Sequence, residues 1–444
     1  MNTPVPSVVP PLTAPRRARK LTSAERTLPS GLRAVAVRKP GIPLVEIRLR
    51  VPFLIAAPSH PARAALLSDG ILTGTAEHDR TGLAAAVQAL GGELSVGVDA
   101  DRLLVSGNVL ATKLRALLAL VAGVLETATY PAAEVGTERD RLVEKLKIAR
   151  SQPGVIAAEA RARRMWGDHP YARELPAAEA VAATTAAHLR RLHADLVRPD
   201  GATLVLVGDV SPARALDQIE SALGSWTGSP PRRRVPPLPE PEPGPLLIVD
   251  RPGSVQSSLR LGTSAVARFD DRYPALQLAN LIFGGYFSSR WTENIREDKG
   301  YTYGPHSRID HHVLGSSLLF DVEVATEVTA PAVVETRYEL GRIASLPVTA
   351  DEVDTVRQYA IGTLAISTAT QSGLASTLSS LAGAGLGLDW LIEHPRQLSA
   401  VSVDEVSAAA AEFLAPARLI QVVVGEAAAI TAPLAALGPV TADA

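Results

Sequence analysis

The stretch GATLVLVGDVSPARALDQIESALGSW, residues 201–226, decides how the fold is read. It opens with a run of Leu and Val, turns at Gly-Asp, and then repeats apolar residues at Leu216, Ile219 and Leu223. A short apolar run bounded by turn residues is a strand, and a period near 3.6 is an amphipathic helix. The same order returns at the far end of the chain in ARLIQVVVGEAAAITAPLAALG (417–438). The matching beginnings are LPSGLRAVAVRKPGIPLVEIRLRV (28–51) and PLLIVDRPGSVQSSLRLGTSA (245–265), each two strands about a Pro/Gly turn. Two segments that start and finish alike indicate an internal duplication.

Between the halves lies SPPRRRVPPLPEPEPGP, residues 229–245. Proline at this density removes N–H donors and fixes φ, so the segment is an extended linker. The expected organisation is a disordered Pro/Arg-rich arm (1–24), a first domain (25–228), the linker (229–245) and a second domain (246–444). Residues 80–90 predict a helix with Thr81 as N-cap and Gly91-Gly92 as its stop. Residues 93–110 predict two strands, and TKLRALLALVAGVLETA and EVGTERDRLVEKLKIARS predict long helices. In the second half, DRYPALQLANLIFGG and ADEVDTVRQYAIGTLAIS are helical and SRIDHHVLGSSLLFDVEVAT is a pair of strands. The fold class is therefore α+β: two homologous domains, each a mostly antiparallel sheet with helices packed on one face.

The 444 residues are 46% hydrophobic and 20% charged, with a formal net charge of -2. This is a globular composition, and it favours neither nucleic acid nor an anionic membrane as partner. No Cys is present, which removes disulfides, thiolate metal sites and Cys nucleophiles. The N-terminal MNTPVPSVVPPLTAPRRARK has no apolar core of a secretory signal, and no run of 18 apolar residues follows, so the expected location is the cytoplasm.

The search for catalytic groups is largely negative. Nine His are present, with no HExxH and no HxxEH. His188 and His193 lie on a helical segment with arginines between them and read as surface or capping residues. His311 and His312 point to opposite faces of a strand, so a relocated metal site around them and Asp310 is disfavoured. Ser68-Asp69 has no nucleophile elbow around it, and no phosphate loop occurs. SSRWTENIREDKGYTYG (288–304) differs. Ser288 or Ser289 can cap a helix that ends at Gly300, with Arg296 on its last turn and Tyr303 on the strand beyond. A guanidinium fork and a phenol facing one cleft can grip a carbonyl and a developing oxyanion. The plain alternative pairs Arg296 with Glu293 or Glu297 and buries Tyr303 in the core.

The layout resembles the pitrilysin/insulinase superfamily, in its two-domain branch like the mitochondrial processing peptidase, over residues of about 25–430. The resemblance rests on HPYARELPAAEAVAATTAAHLRRLHADLVRPDGATLVLVGDV (169–210), on SSRWTENIREDKGYTYG, and on ADEVDTVRQYAIGTLAIS. In that family the Arg and Tyr of the second stretch bind substrate, which implies Arg296 and Tyr303 as catalytic and substrate-binding residues. Gly284 and Gly285 would let backbone approach a peptide, and Ser288 belongs to the same stretch. Active members carry HxxEH on a first-half helix. The corresponding run here is ALLSDGILTGT (65–75), with Ala65, Ser68 and Asp69 at the three key positions. The distal Glu ligand falls near Glu144 or Lys145, and an ungapped alignment favours Lys145. The resemblance thus implies a zinc-free subunit with no cofactor of its own. Its expected partner is a homologous HxxEH-bearing zinc subunit, completed as a clamshell around a peptide substrate. The strand region 91–110 would then serve packing or passive peptide contact. The alternative is a non-enzymatic scaffold or peptide-binding relative.

Overall fold

A computed structural model describes residues 21–231 and 235–442. The arm expected over residues 1–24 lies outside the described residues up to position 20, and its end is ordered, because the first strand begins at Ser23.

Among the described residues twelve strands form two six-stranded sheets. The first contains β1 (Ser23–Thr27), β2 (Arg33–Arg38), β3 (Leu44–Pro52), β4 (Glu93–Val98), β5 (Arg102–Leu110) and β6 (Thr203–Gly208), in the order β1-β2-β6-β3-β5-β4. The second contains β7 (Leu246–Asp250), β8 (Gln256–Ala265), β9 (His306–His312), β10 (Gly315–Ala325), β11 (Ile420–Gly425) and β12 (Val440–Ala442), in the order β12-β7-β11-β8-β10-β9. The paired opening strands of each half are not neighbours. The closing strand inserts between them, β6 between β2 and β3 and β11 between β7 and β8. Each sheet is mixed: β2 and β6 run parallel, as do β7 and β11. The halves differ at the outer edge, where β1 is antiparallel to β2 and β12 is parallel to β7.

Helices α1 (His60–Gly70), α2 (Arg80–Ala89), α3 (Leu114–Thr127), α4 (Ala132–Arg150) and α5 (Pro153–Trp166) follow in the first half. The N-cap of α2 is Asp79, whose carboxylate accepts from Gly82 N at 2.7 Å, and Thr81 is exposed as the second residue of the helix. A carboxylate one position before the helix reaches the orphan N–H groups, whereas a Thr already in helical geometry does not. Gly91 ends the segment at φ +64°, as its place after the helix requires.

All six residues of β6 are buried, so this strand is covered on both faces. One face meets the core built from Leu66, Leu118, Val121, Leu189 and Ile219. The other meets the helix Gln371–Gly383 of the second half, whose Leu374, Ala375, Leu378 and Leu381 pack on Val37, Val205 and Val207. The exchange is reciprocal. α5 of the first half lays Ala157, Ala160 and Met165 on Leu319, Ile420, Val422 and Val424 of the second sheet. Polar clamps fasten each exchange. Arg161, 7% exposed, pairs with Asp321, and Arg48 donates to Ser372 Oγ at 2.8 Å and Ser376 Oγ at 3.2 Å. The helices on the near face of each sheet are as expected from sequence, and one helix lent by the opposite half is the addition.

The Pro-rich segment is extended and docked. Val235, Leu238 and Pro241 are half-buried while Pro236, Pro237, Pro239, Glu240 and Glu242 are exposed. One inward residue in three is the period of a polyproline II helix with one edge against the protein. His169 Nε2 lies 3.1 Å from Pro236 O and Leu238 joins the cluster under α5. Among the described residues no single helix is long and apolar enough to cross a membrane.

Candidate functional site

α1 follows β3 and packs against α4, which brings Ala65, Ser68 and Asp69 toward the helix that carries Glu144 and Lys145. The side chains there are not a donor set. Ala65 has no ligating atom. Ser68 is buried and its hydroxyl donates back to Ala65 O at 2.9 Å. Asp69 is raised above the ordinary carboxylate range by burial of its carboxyl, an effect opposed by the charge of Lys145. Glu144 turns to solvent and pairs with Lys147 at 2.7 Å, its side chain 68% exposed. The buried carboxylate of α4, Glu138, is taken by Arg80 at 2.7 Å and Arg141 at 3.1 Å. One carboxylate facing an ammonium, with no imidazole, does not fit zinc, which takes three protein ligands at an open site. Among the described residues no group of three His, Asp or Glu side chains is arranged to hold a metal ion. Beside α1 a cavity of about 110 Å³ is lined by Ile55, Ala64, Ala65, Val98, Asp99 and Arg173. It lies at the end of β4, the open edge strand of the first sheet.

In the second half the helix Tyr273–Asn280 runs into a π-helical turn over Leu281–Gly285. After a four-residue loop, Arg290–Thr292 leads into a second π-helical stretch, Glu293–Asp298. There Lys299 N–H reaches Asn294 O, five residues back, at 3.0 Å. π-Turns cost hydrogen-bond geometry and concentrate at functional sites. Trp291 and Ile295 hold this stretch in the core, with Trp291 stacked on Phe283 at 5.2 Å and bonded to Thr336 Oγ1 at 3.0 Å. Ser289 occupies the cap position, but its hydroxyl lies 2.9 Å from Thr292 Oγ1 and caps no backbone N–H. Gly300, at φ +66°, ends the helix as expected.

Arg296 and Tyr303 come together. The guanidinium carbon lies 5.2 Å from the Tyr303 ring centroid and 4.6 Å from that of Phe287. Nε of Arg296 lies 3.2 Å from Glu297, so the expected surface pair is present. Tyr303 is not in the core: it is 90% exposed, and Phe287 is 66% exposed. Phe287 was missed from sequence, where the aromatic pair Tyr286-Phe287 between Gly-Gly and Ser-Ser was its only sign. Ser288 is exposed on the same loop. The glycines have a different reason from the expected one. A Cβ on Gly284 would lie 2.9 Å from Trp291 and 3.0 Å from Ser307 Oγ, and one on Gly285 would lie 2.8 Å from Asn280 Nδ2. Internal packing, not room for a ligand, demands glycine at both.

The four histidines singled out from sequence are held by the fold. His188 completes a capping box with Thr185. His193 is more than a surface residue. It bridges Tyr130 OH and Leu125 O, each at 2.8 Å, and burial lowers its pKa. His311 sits between Ser316 Oγ at 2.8 Å and Tyr273 OH at 3.3 Å, and burial beside Arg268 pulls it down to about 3. His312 faces elsewhere, stacked on Tyr171 at 4.3 Å and paired with Asp101 at 3.4 Å. Burial would lower its pKa, but the hydrogen bond and charge of Asp101 outweigh burial and raise it. Tyr171 OH also donates to Asp101 at 2.6 Å, so the HPY segment ties the β4–β5 turn to the β9–β10 turn.

Residues 183–359 match a protein family described as the peptidase M16 inactive domain. An uncharacterized zinc protease of Mycobacterium tuberculosis is 25% identical over 411 residues, covering 89% of this chain and 92% of that protein. A zinc protease of Bacillus subtilis, also uncharacterized, is 23% identical over 53% of this chain and 56% of its own length. Among solved structures, a peptidase M16 inactive domain from Pseudomonas fluorescens superposes with a TM-score of 0.84 at 23% identity, covering 91% of this chain and 98% of its own. A protease from Helicobacter pylori gives 0.81 at 16% identity, over 91% and 99%. Beside the duplicated sheet-and-helix halves and the IRE-x-x-G-x-x-Y stretch, these matches give the chain the fold of M16 peptidases, with residues 183–359 similar to the M16 inactive-domain family.

Proposed function

We propose that this chain is the zinc-free subunit of a two-subunit M16 peptidase, supplying Arg296 and Tyr303 to a cleft whose zinc and HxxEH helix belong to a homologous partner. The observation that carries this reading is the contrast between the two halves. The α1 positions hold no ligand set, while Arg296 and Tyr303 stand together at the surface with their polar ends available. Bonding among the described residues commits Arg296 only at Nε, so the two Nη donors remain for a peptide carbonyl. The Tyr303 hydroxyl would donate to the oxyanion that develops on that carbonyl. The reaction's electrophile would be the partner's zinc. This chain's part is to bind and orient an unfolded peptide and to stabilise charge as it appears.

The test is co-expression with an HxxEH homologue. Peptide cleavage is expected from the mixture and from neither chain alone. Arg296→Ala or Tyr303→Phe should each lower turnover about 10²–10³-fold while the assembly stays intact. Unchanged turnover in both variants refutes the assigned roles. A second reading, a peptide-binding scaffold without catalysis, is favoured by the open β4 edge beside the cavity at α1. It predicts a stable homodimer that ignores the co-expressed partner.

A further inference from the structure

Arg296 is a long, flexible side chain that sits over two rings, and one of those rings cannot hold it. Tyr303 is 90% exposed and lies beyond the turn at Gly300, so it has little packing of its own. Phe287 is different. Its loop is only four residues long, Tyr286 to Ser289, and both ends are braced. On one side Gly284 is wedged against Trp291 and Ser307, and Tyr286 packs on Tyr359 with centroids 5.3 Å apart. On the other, Ser289 is buried, bonds Thr292 through its hydroxyl, and donates its N–H to Tyr286 O at 3.3 Å. A Phe left 66% exposed on so short a loop gains little from burial, so packing does not account for it. What it does contact is the guanidinium of Arg296, at 4.6 Å from its ring centroid.

We infer that Phe287 is a positioning residue, which fixes the plane of the Arg296 guanidinium so that the Nη edge faces the peptide. The physical basis is directional. A guanidinium donates hydrogen bonds in its own plane and meets an aromatic ring through its face. With its carbon 4.6 Å over the Phe287 ring, the guanidinium would turn its face to the ring and leave the donor edge open. Glu297 at Nε sets the rotation within that plane. Without the ring, Arg296 would sample many rotamers, and ordering it on binding would cost affinity. The functional half of this inference rests on the peptide-binding role proposed above, whereas the positioning half concerns this chain alone.

The experiment separates the two. Protein labelled with ¹⁵N-arginine reports the Arg296 Nε–Hε resonance, assigned by its loss in Arg296→Lys. Phe287→Ala and Phe287→Leu are expected to abolish its ring-current shift and speed its solvent exchange, and Phe287→Tyr to retain both. Binding is read by anisotropy with fluorescein-labelled β-casein, an unfolded chain. Phe287→Ala and Phe287→Leu should weaken it about two- to five-fold, the size of an exposed cation–π contact, with Phe287→Tyr restoring it. An Arg296 resonance unchanged in Phe287→Ala overturns the inference, as does Phe287→Leu binding as tightly as Phe287→Tyr. Wild-type protein that ignores β-casein refutes the peptide-binding role, while the resonance still decides the positioning.

Discussion

The first half places two helices between β3 and β4, the second places two between β8 and β9, and the two pairs are built differently. In the first half α1 and α2 are regular, and Ser68 spends its hydroxyl on its own helix. In the second half both helices run into π-helical turns, at Leu281–Gly285 and Glu293–Asp298, and the loop between them puts Phe287 into solvent beside Arg296. The lesson is one of cost. A regular helix is self-sufficient and makes no demand on its surroundings. A π-turn persists only where packing over-determines it, and here Phe283, Trp291, Ile295 and Phe320 do so. Irregular backbone is maintained here beside Arg296 and the exposed Phe287 and Tyr303, and regular backbone where Ser68 bonds within its own helix.

The sharpest way to break this comparison is to remove the packing. Trp291→Ala deletes a fully buried indole that stacks on Phe283, lies edge-on to Phe320 and bonds Thr336. A loss of about 3–5 kcal/mol in urea unfolding is expected, with collapse of the Arg296 geometry. If the variant unfolds at the wild-type midpoint, the π-stretch is not held by its core.

A smaller effect comes from acid. His311 is depressed to about 3 and His394 to about 4, in both cases mainly by burial, with Arg268 adding to it. Their unfolded value is near 6.5, so between that pH and the folded values the unfolded chain binds more protons than the native one. Stability contributed by keeping these rings neutral is present above pH 6.5 and is lost as pH falls toward 3. His312 acts in the opposite sense, since its raised pKa adds stability at low pH that is lost as pH rises. His193 and His169 of the first half are also lowered by burial, so acid should weaken both halves, and His311 and His394 make the second half's share. His311→Asn should flatten the decline of the urea midpoint between pH 7 and pH 4.5, and an unaltered slope would show that the ring titrates normally.

Much of this was legible in the sequence and some was not, for physical reasons. The duplication, the β4–β5 and β9–β10 hairpins and the helix ending at Gly300 follow from local patterning, because apolar period and turn residues act over a few positions. Around Gly300 the sequence left two readings open, Arg296 beside Tyr303 and Arg296 paired with Glu297, and the structure holds both contacts. The reciprocal exchange of α5 and Gln371–Gly383 did not, since nothing local says which sheet an apolar helix face will cover. The π-turns were equally hidden: they differ from an α-helix by one residue per turn, within the noise of any apolar pattern. The reason for Gly284 lies in Ser307, twenty-three positions away, and no turn signal reports such a contact.

The finest test lies in the first half, at Asp69. Asp69 is exposed as a residue while its carboxyl is partly desolvated, and the attraction of Lys145 on the neighbouring helix opposes that desolvation, so the two effects largely cancel. Asp69→Asn is therefore expected to move the unfolding free energy by less than about 0.5 kcal/mol. A metal ligand would behave otherwise. Zinc at a hundred times its dissociation constant stabilises a folded protein by about 2.7 kcal/mol, and losing a ligand removes that increment. Unfolding midpoints with and without added zinc thus distinguish the cases. If wild-type protein gains stability from zinc and Asp69→Asn does not, the first half still grips a metal through Asp69, and the contrast drawn between α1 and the π-helical stretch loses its chemical meaning. If both respond alike to zinc, Asp69 is no zinc ligand, and its carboxyl answers only to its burial and to the charge of Lys145.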